Sequence, residues 1–444
     1  MSRLVVTMSA LVFLHLSDIH FRKKAGEIYD EFLGVRNELE LDLKRFSTEH
    51  FGKIAAILIT GDIAYSGHPD EYAFATSWIA KIAKVIGLDP EADVYLIPGN
   101  HDIERKVVAD SLTIQGYHAT LRAPNKDVNE SLVGYLEKDE EAKRIIFKPL
   151  KNFNDFAAKY QCDSSAEHPY WEHPFKLNDG STLMVRGINS TLASDEHDTD
   201  GAYKLAVGNF QLDLLRQDGV EYMALCHHPP SWLVDADAAE MFLTERARVQ
   251  LFGHKHKQRM NQLDNSVRVV AGAVHPEARE PNWQPRYNFV SLEVVQQGDV
   301  RTLRVQVYPR VYVDTSFQSG VEHGVSRQFD LPLPRWNPPV PVEAPVSVSN
   351  PSTSSEPANL GGLRMRPGRR LTYRFLSLPH NSRLKIVQQL NLIRPEDEGL
   401  RDSELYSRFF TRAAAGGHLF DFWNLINSES DTDEENPFPQ SVRS

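Results

Sequence analysis

The stretch LVFLHLSDIH, residues 11–20, decides the fold, because a run of apolar residues ends abruptly in a polar Asp-x-His cluster. The same form recurs in IAAILITGDIAYSG, residues 54–67, and in VYLIPGNHD, residues 94–102. Helical patterns around residues 38–46 and 72–86 separate these runs. Short apolar runs that alternate with helices predict an α/β fold. In such sheets ligands bind at the carboxyl ends of the strands, where these polar clusters lie.

Later apolar runs predict further strands of the same unit. YMALCHH, residues 222–228, and VQLFGHKH, residues 249–256, end in histidine pairs, and TLMVRGINS, VRVVAGAV and NFVSLEVV also read as strands. Between about residues 103 and 172 the pattern is helical and charged. This segment predicts a helical insertion, which is either a cap that shapes access to the site or a set of helices packed on its rim.

The composition changes near the carboxyl terminus. Residues 331–362 are rich in Pro, Ser and Val, which predicts an extended linker. Residues 371–427 return to helical periodicity and predict a small all-α domain of three helices. The acidic residues 428–444 predict a disordered tail.

Composition limits the location and the partners of the chain. Its 444 residues carry a formal net charge of -11, which argues against a basic face over the whole body for nucleic acid. The two cysteines are far apart, so neither a disulfide framework nor a thiolate zinc site is indicated, and a cytoplasmic location is expected. The apolar start, residues 1–16, lacks a cleavage pattern for a signal peptide, and no stretch is apolar enough for a membrane helix.

The polar clusters carry the chemistry. Any one of them would more often cap a helix or complete a turn, but five in series point to a metal site. Carboxylate, imidazole and amide groups suit Mn, Fe or Zn, and two such ions roughly 3.5–4 Å apart can stabilise both the attacking and the leaving oxygen of a phosphate ester. The sequence therefore predicts a site for two divalent metal ions, built from these clusters: Asp18 and His20, Asp62, Asn100 to Asp102, the HHPP from His227, and His254 and His256.

These clusters resemble the motif series of the calcineurin-like metallophosphoesterase superfamily, in its cyclic-nucleotide phosphodiesterase-like branch. The resemblance implies a two-sheet β-sandwich flanked by helices over residues 9–315, and a hydroxide that bridges the metals and attacks phosphorus. It also implies that Asp62 bridges the two ions. One ion would take Asp18, His20 and His256, and the other Asn100, His227 and His254.

The resemblance assigns catalytic roles to two further residues. His101 would contact the phosphate and help the leaving oxygen depart, and Asp102 would orient the His101 ring. The family places a ligand at the end of the strand, which selects His227 over His228.

Other polar residues near the predicted strands have weaker claims. His15 is expected to be a buried, hydrogen-bonded histidine of the core. His68, His197 and His275 are expected to be solvated loop residues rather than substrate contacts. Asn189 and Ser190 end a predicted strand and are candidates to line the site.

Motif details separate the subgroups of the superfamily. GDIAYSG and GNHD differ from the GDxxDRG and GNHE of serine/threonine protein phosphatases. Tyr65 has the spacing of the tyrosine ligand in the purple subgroup, but HLSDIHF, HHPP and GHKH favour the phosphodiesterase branch. The expected substrate is a nucleotide, a cyclic nucleotide or a nucleic acid.

The carboxyl-terminal module resembles the effector-associated adaptor domains of bacterial conflict systems, on the sequences FLSLPHNSRLKIVQQLNLI and FFTRAAAGGHLFDFWNLIN. The resemblance implies a protein partner bound through residues 371–427 and a role as an effector in bacterial defence. Two alternatives stay open, a housekeeping phosphomonoesterase that acts on nucleotides or metabolites and a non-catalytic binding protein.

Overall fold

A computed structural model describes most of the chain. The described residues are 10–22, 30–123, 126–199, 201, 203–276 and 284–336, together with 371, 374–375, 378, 380–394, 397, 408–410, 412–414, 416–429, 436 and 438. The chain divides between Gly362 and Leu363 into two compact units.

The first unit contains thirteen strands among its described residues. In chain order they are β1 (Leu11–Leu16), β2 (Ala56–Thr60), β3 (Val94–Ile97), β4 (Tyr170–Lys176), β5 (Thr182–Ile188), β6 (Val220–Cys226), β7 (Ala247–Phe252), β8 (Arg259–Leu263), β9 (Ser266–Val270), β10 (Arg286–Gln297), β11 (Val300–Val313), β12 (Ser316–Ser319) and β13 (Arg327–Leu333).

The strands form two mixed sheets. The first has the order β12-β11-β10-β1-β2-β3, with β13 paired to β11, and its strands β1, β2 and β3 are parallel. The second has the order β4-β5-β6-β7-β9-β8, with a parallel centre and antiparallel edges. In each sheet the parallel strands bring their carboxyl ends to one edge.

The two sheets pack face to face. Phe13 of the first sheet and Phe175 of the second lie edge to face with ring centroids 5.0 Å apart. Strand β6 is buried on both faces, since Met223 and Leu225 join the core between the sheets while Tyr222 and Ala224 join a second cluster outside. Alternating side chains of a strand point to opposite faces, so this pattern confirms the predicted two-sheet sandwich.

Helices cover the outer faces of the sandwich. Leu39 and Leu43 of the first helix and Ile79 and Ile82 of the second are fully buried in the main core. The helices of the first unit are α1 (Leu33–His50), α2 (Pro69–Val85), α3 (Arg105–Ala109), α4 (Leu112–Arg122), α5 (Val128–Lys138), α6 (Glu140–Ile146), α7 (Lys151–Ala157), α8 (Asn209–Leu212) and α9 (Ala236–Arg246).

The predicted helical insertion comprises α3 to α7, although its last residues from Tyr170 onward belong to β4. Its helices pack on the rim of the sandwich rather than standing apart from it. The Tyr72 ring of α2 stacks on Phe156 of α7 with centroids 4.9 Å apart, and Asn152 donates to the Gly67 carbonyl at 3.0 Å.

The predicted start of the linker is wrong. Strand β13 pairs with β11 through Leu333, and Leu331 is fully buried, so residues 331–333 belong to the sheet. The Pro-rich composition concealed this edge strand, in which Pro332 faces away from the core. The rest of the predicted linker, from residue 337, lies outside the described residues.

The second unit has its own apolar core. Its helices are α10 (His380–Gln389) and α11 (Leu419–Glu429), and further helical turns cover residues 408–410 and 412–414. Val387, Phe409, Phe422, Trp423 and Ile426 are fully buried together. This cluster confirms a small helical domain.

Part of the predicted disordered tail is ordered. Asn436 donates to the Phe420 carbonyl at 2.9 Å, and the Phe438 ring lies 6.0 Å from the Trp423 ring. The aromatic Phe438 offsets the acidic composition because it packs against the core of the second unit. Most of residues 430–444 lie outside the described residues.

Within the described ranges, no helix has both the length and the apolar composition that crossing a bilayer requires.

Candidate metal centre

The polar clusters meet at the carboxyl ends of the parallel strands of both sheets. Strands β1, β2 and β3 deliver residues of the first sheet, and β6 and β7 deliver those of the second. All seven predicted ligands belong to this one region of the fold: Asp18, His20, Asp62, Asn100, His227, His254 and His256.

Asp18, His20 and His256 form what we term the first ligand group. Asp18 Oδ1 lies 3.2 Å from His256 Nε2, and His256 Nε2 lies 3.3 Å from His20 Nε2. Two ligands held about 2.1 Å from one ion at a tetrahedral angle are themselves ~3.4 Å apart. The spacing of these nitrogens therefore fits a shared metal ion.

A second ligand group surrounds the side-chain oxygen of Asn100. Asn100 Oδ1 lies 3.1 Å from His254 Nδ1, 3.3 Å from His227 Nε2 and 3.2 Å from His228 Nε2. One amide oxygen and three imidazole nitrogens thus converge, a donor set that suits Zn, Fe or Mn. His228, which the sequence prediction left out of the ligand set, is part of this group.

Asp62 lies between the two groups. Its Oδ2 is 3.3 Å from His227 Nε2 in the second group and 3.8 Å from His20 Nε2 in the first. Its Oδ1 accepts a hydrogen bond from the His101 backbone N–H at 2.8 Å. A carboxylate in this position can bind an ion on each side.

Burial sets the protonation of the imidazoles. It lowers the pKa of His20 and of His254 to about 3, and it lowers the pKa of His228 well below its usual range. The neutral imidazole is the form that binds a metal. His227 differs, because Asp62 overcomes the effect of burial and raises the pKa of His227 to about 9, so a metal bound there must displace a proton.

The comparisons with known proteins agree with this geometry. Residues 11–258 match the family model for the calcineurin-like phosphoesterase. The chain belongs to the calcineurin-like phosphoesterase family. Residues 368–428 match the model of the GTPase-associated adaptor domain, which confirms the predicted resemblance of the second unit.

Individual relatives of this phosphoesterase are distant. The metallophosphoesterase-like protein YydB of Bacillus subtilis is 27% identical over 282 residues, which cover 59% of this chain and 53% of YydB. The chain therefore spans about half the length of this curated relative.

Two solved structures resemble this chain only weakly. GAP50 of Plasmodium is 9% identical with a TM-score of 0.38 over 74% of this chain and 90% of its own. A Staphylococcus aureus protein described as a putative 5'-nucleotidase is 12% identical with a TM-score of 0.33 over 77% of this chain and 56% of its own.

In two of the ligand imidazoles of this phosphoesterase, the nitrogen that faces away from Asn100 makes a hydrogen bond. His227 Nδ1 lies 2.6 Å from the Thr60 carbonyl, and His228 Nδ1 lies 2.8 Å from Ser190 Oγ. Each contact fixes the ring so that the other nitrogen faces Asn100. Contacts of this kind orient metal ligands and raise their basicity.

The backbone of the ligand loops is unusual. Among the described residues, eight that are not glycine have a positive φ, and five of them are predicted ligands. Such left-handed conformations cost energy and cluster at functional sites. They aim side chains from sharp turns into one centre, and the five are Asp18, His20, Asp62, His254 and His256, with φ from 50° to 69°.

A glycine permits the closest approach in the site. A Cβ on Gly99 would lie 2.1 Å from Asp62 Oδ1 and 2.5 Å from the Asp62 backbone nitrogen. No side chain fits at this point, so the GN step of the GNHD cluster is required for the approach of β3 to Asp62.

His101 lies at the predicted place, but its predicted partner is wrong. His101 Nδ1 contacts the Tyr65 carbonyl at 2.7 Å, and its ring lies 4.6 Å from that of His20. Asp102 instead accepts hydrogen bonds from the backbone N–H groups of Ile63, Ala64 and Gly99, and from the Tyr72 hydroxyl. Asp102 is fully buried beneath the loops, so it fixes the backbone that carries Asp62 and not the His101 ring.

The histidines with weaker claims to a role in the site lie in different environments. His15 is a buried core histidine that contacts Thr60 Oγ1 at 2.9 Å, as predicted. His275 is buried rather than solvated, because its ring stacks on Phe32 and Nδ1 contacts the Ile19 carbonyl at 2.6 Å. The His68 side chain caps α2 by accepting from the Asp70 N–H.

The two candidates at the end of β5, Asn189 and Ser190, make different contacts. Ser190 supports His228, whereas Asn189 takes part in a buried network with Ser164 and Gln211. His197 is exposed on this loop, as expected.

Two aromatic side chains lie beside the imidazoles of the site. Sequence reasoning missed Trp232 and weighed Tyr65 only as a metal ligand of the purple subgroup. The Trp232 ring lies 4.0 Å from the His254 ring and 5.9 Å from the His228 ring, between centroids. The Tyr65 ring stacks under the guanidinium of Arg22 at 3.9 Å and lies 5.3 Å from the His101 ring. The only signal for Trp232 was its position two residues after the HHPP cluster.

Proposed function

We propose that this phosphoesterase hydrolyses phosphodiesters of nucleotides, cyclic nucleotides or nucleic acids with two divalent ions, Mn, Fe or Zn. The position of Asp62 between two ligand groups is the observation that carries the proposal. We assign the seven predicted ligands to these ions and add His228 to the second group. Bound divalent ions would supply an activated water and would offset the charge of the phosphate.

The residues around the ions have separate roles in this proposal. Asp62 and Asp18 supply the negative charge that holds cations, and the imidazoles of His20 and His254 remain neutral and available as ligands. His101 is partly exposed beside His20, with its backbone fixed by Asp62. From that place its ring can contact a phosphate oxygen and donate a proton to the leaving oxygen.

The preference for diesters is tested with chromogenic esters. Hydrolysis of bis-p-nitrophenyl phosphate and of p-nitrophenyl phosphate is measured with Mn for the wild type, Asp62→Ala and His101→Ala, with the exposed carboxylate variant Asp218→Asn as control. We expect the diester to be cut preferentially, only by the wild type and the control. Preference for the monoester would instead support a housekeeping phosphomonoesterase, and no turnover of either ester would support a non-catalytic binding protein.

We further propose that the second unit joins the phosphoesterase to a protein partner in a bacterial defence complex in the cytoplasm. The match to a GTPase-associated adaptor domain supports this role. The expected partner is a protein with a matching helical module, encoded next to this chain. Co-purification of the two should be lost when this chain ends at Gly362, and retention by the shortened chain would contradict the proposal.

A further inference from the structure

A cavity of about 420 Å³ lies beside the helical insertion. One wall comes from α3 and α4, and the other comes from the loop that follows β5. We call it the insertion pocket and define it by Arg105, Gln115, His118, Arg122, His197 and Tyr203.

Both walls begin next to the metal centre. Arg105 follows His101 by four residues, and Asp195 follows Ser190, which supports His228, by five. A chain spans at most about 3.6 Å per residue, so these separations are at most about 14 Å and 18 Å between Cα atoms. The two walls of the pocket therefore start close to the metal centre along the chain.

An arginine fixes the two walls to each other. Arg122 of α4 donates to Asp195 at 2.6 Å, to the Ala193 carbonyl at 2.6 Å and to the Lys204 carbonyl at 3.0 Å. It also donates to Asp198 at 3.2 Å, and its side chain is only 10% exposed. The pocket is therefore built before any ligand arrives, which is typical of small-molecule sites.

The charges around the pocket nearly balance. Although burial opposes it, hydrogen bonds from His118 and Arg122 lower the pKa of Asp195, and burial raises the pKa of Asp198 to about 7. These two carboxyls contact Arg122, and the exposed Glu196 lines the same pocket as Arg105. The pocket therefore has no excess of positive charge that would bind a further phosphate group of a substrate.

Two groups remain available to a ligand. The Tyr203 side chain is 46% exposed, although the Arg122 guanidinium lies 5.4 Å from its ring centroid and the His197 ring 5.3 Å away. Among the described residues, Arg105 has neither a hydrogen-bond nor an ion-pair partner. An aromatic face beside an unused guanidinium suits a flat, uncharged ring with acceptor atoms.

We propose that the insertion pocket receives the nucleobase of a nucleotide phosphodiester whose phosphate lies at the metal centre. The base stacks on Tyr203, and Arg105 donates to its carbonyl or ring-nitrogen acceptors. This inference rests on the proposed function and narrows its substrate class to nucleotides. It also gives the helical insertion a task, since α3 and α4 complete the site.

The test compares two esters that share a leaving group. Thymidine 5'-(p-nitrophenyl phosphate) carries a nucleoside, and methyl p-nitrophenyl phosphate does not. For Tyr203→Leu we expect the ratio of their kcat/KM values to fall about tenfold, through KM for the nucleoside ester, because stacking on an aromatic side chain contributes to base binding. Arg105→Gln should lower the ratio about fivefold.

The control is Lys106→Gln, an exposed cation on α3 outside the pocket, which should keep the wild-type ratio. Equal ratios in wild type and Tyr203→Leu would overturn the inference while the proposed function stands. If neither ester is cut, the proposed function fails, and calorimetry with the four nucleoside 5'-monophosphates then decides on the pocket. Weaker binding by Tyr203→Leu supports it, and equal binding overturns it.

Discussion

The two ligand groups of the metal centre differ in charge and in exposure. The first contains the carboxylate of Asp18, and its His256 side chain is 20% exposed. The second has no carboxylate of its own, and its His227 and His228 are fully buried while His254 is part-buried. A harder site thus lies beside a softer one. The difference favours unlike affinities for the two ions.

The largest effect should come from Asp62, because it belongs to both groups. Asp62→Asn keeps the shape but removes the charge. We expect kcat on bis-p-nitrophenyl phosphate to fall by at least about 10⁴-fold, or ~5 kcal/mol, and the metal content to fall below two ions per chain by elemental analysis. A variant with two ions and near wild-type kcat would show that the groups do not share this ligand.

Removing one imidazole from each group should separate the two sites. We expect His256→Ala to lose the first ion, His254→Ala to lose the second, and each to lower kcat about 10³-fold, or ~4 kcal/mol. Elemental analysis after gel filtration should find about one ion per chain in both variants.

In the wild type, a chelator should remove the ion of the first group sooner, since its His256 side chain is 20% exposed whereas His227 and His228 of the second group are fully buried. Chelation at equal rates from His254→Ala and His256→Ala would remove the distinction between the groups.

Ser190→Ala should have the smallest effect and should act on the second group alone. The hydroxyl holds His228 Nδ1, so its loss frees the ring without removing a ligand. Contacts of this kind change metal affinity about 10–100-fold, and competition with a fluorescent chelator should detect one weakened site of two. Ser47→Ala on α1 is the control, and an equal loss there would point to general destabilisation.

Much of the fold could be predicted from the sequence, because most strands and helices are indicated by patterns within short segments. Strands β1, β2 and β3 are apolar runs followed within three residues by Asp18, Asp62 and Asn100, and the structure places these strands as predicted. Strand β13 was not readable, because its pairing with β11 is set by a distant partner and its prolines suggested a linker.

The contacts within the site were harder to predict than its residues. The ligand clusters identify themselves by spacing, but the partner of His101 is a backbone carbonyl, which leaves no mark in the sequence. Ser190 and Arg122 depend on how loops from separate strands meet. Such contacts follow from tertiary packing and are therefore visible only in the fold.

The left-handed backbone at five ligand positions sets function against stability. Replacing His256, at φ 52°, by glycine would relieve about 1 kcal/mol of conformational strain while deleting a ligand. Selection for stability alone would thus favour glycine at these positions and would remove the ligands. Aspartate and histidine at such angles are therefore better explained by a role in metal binding than by a role in stability.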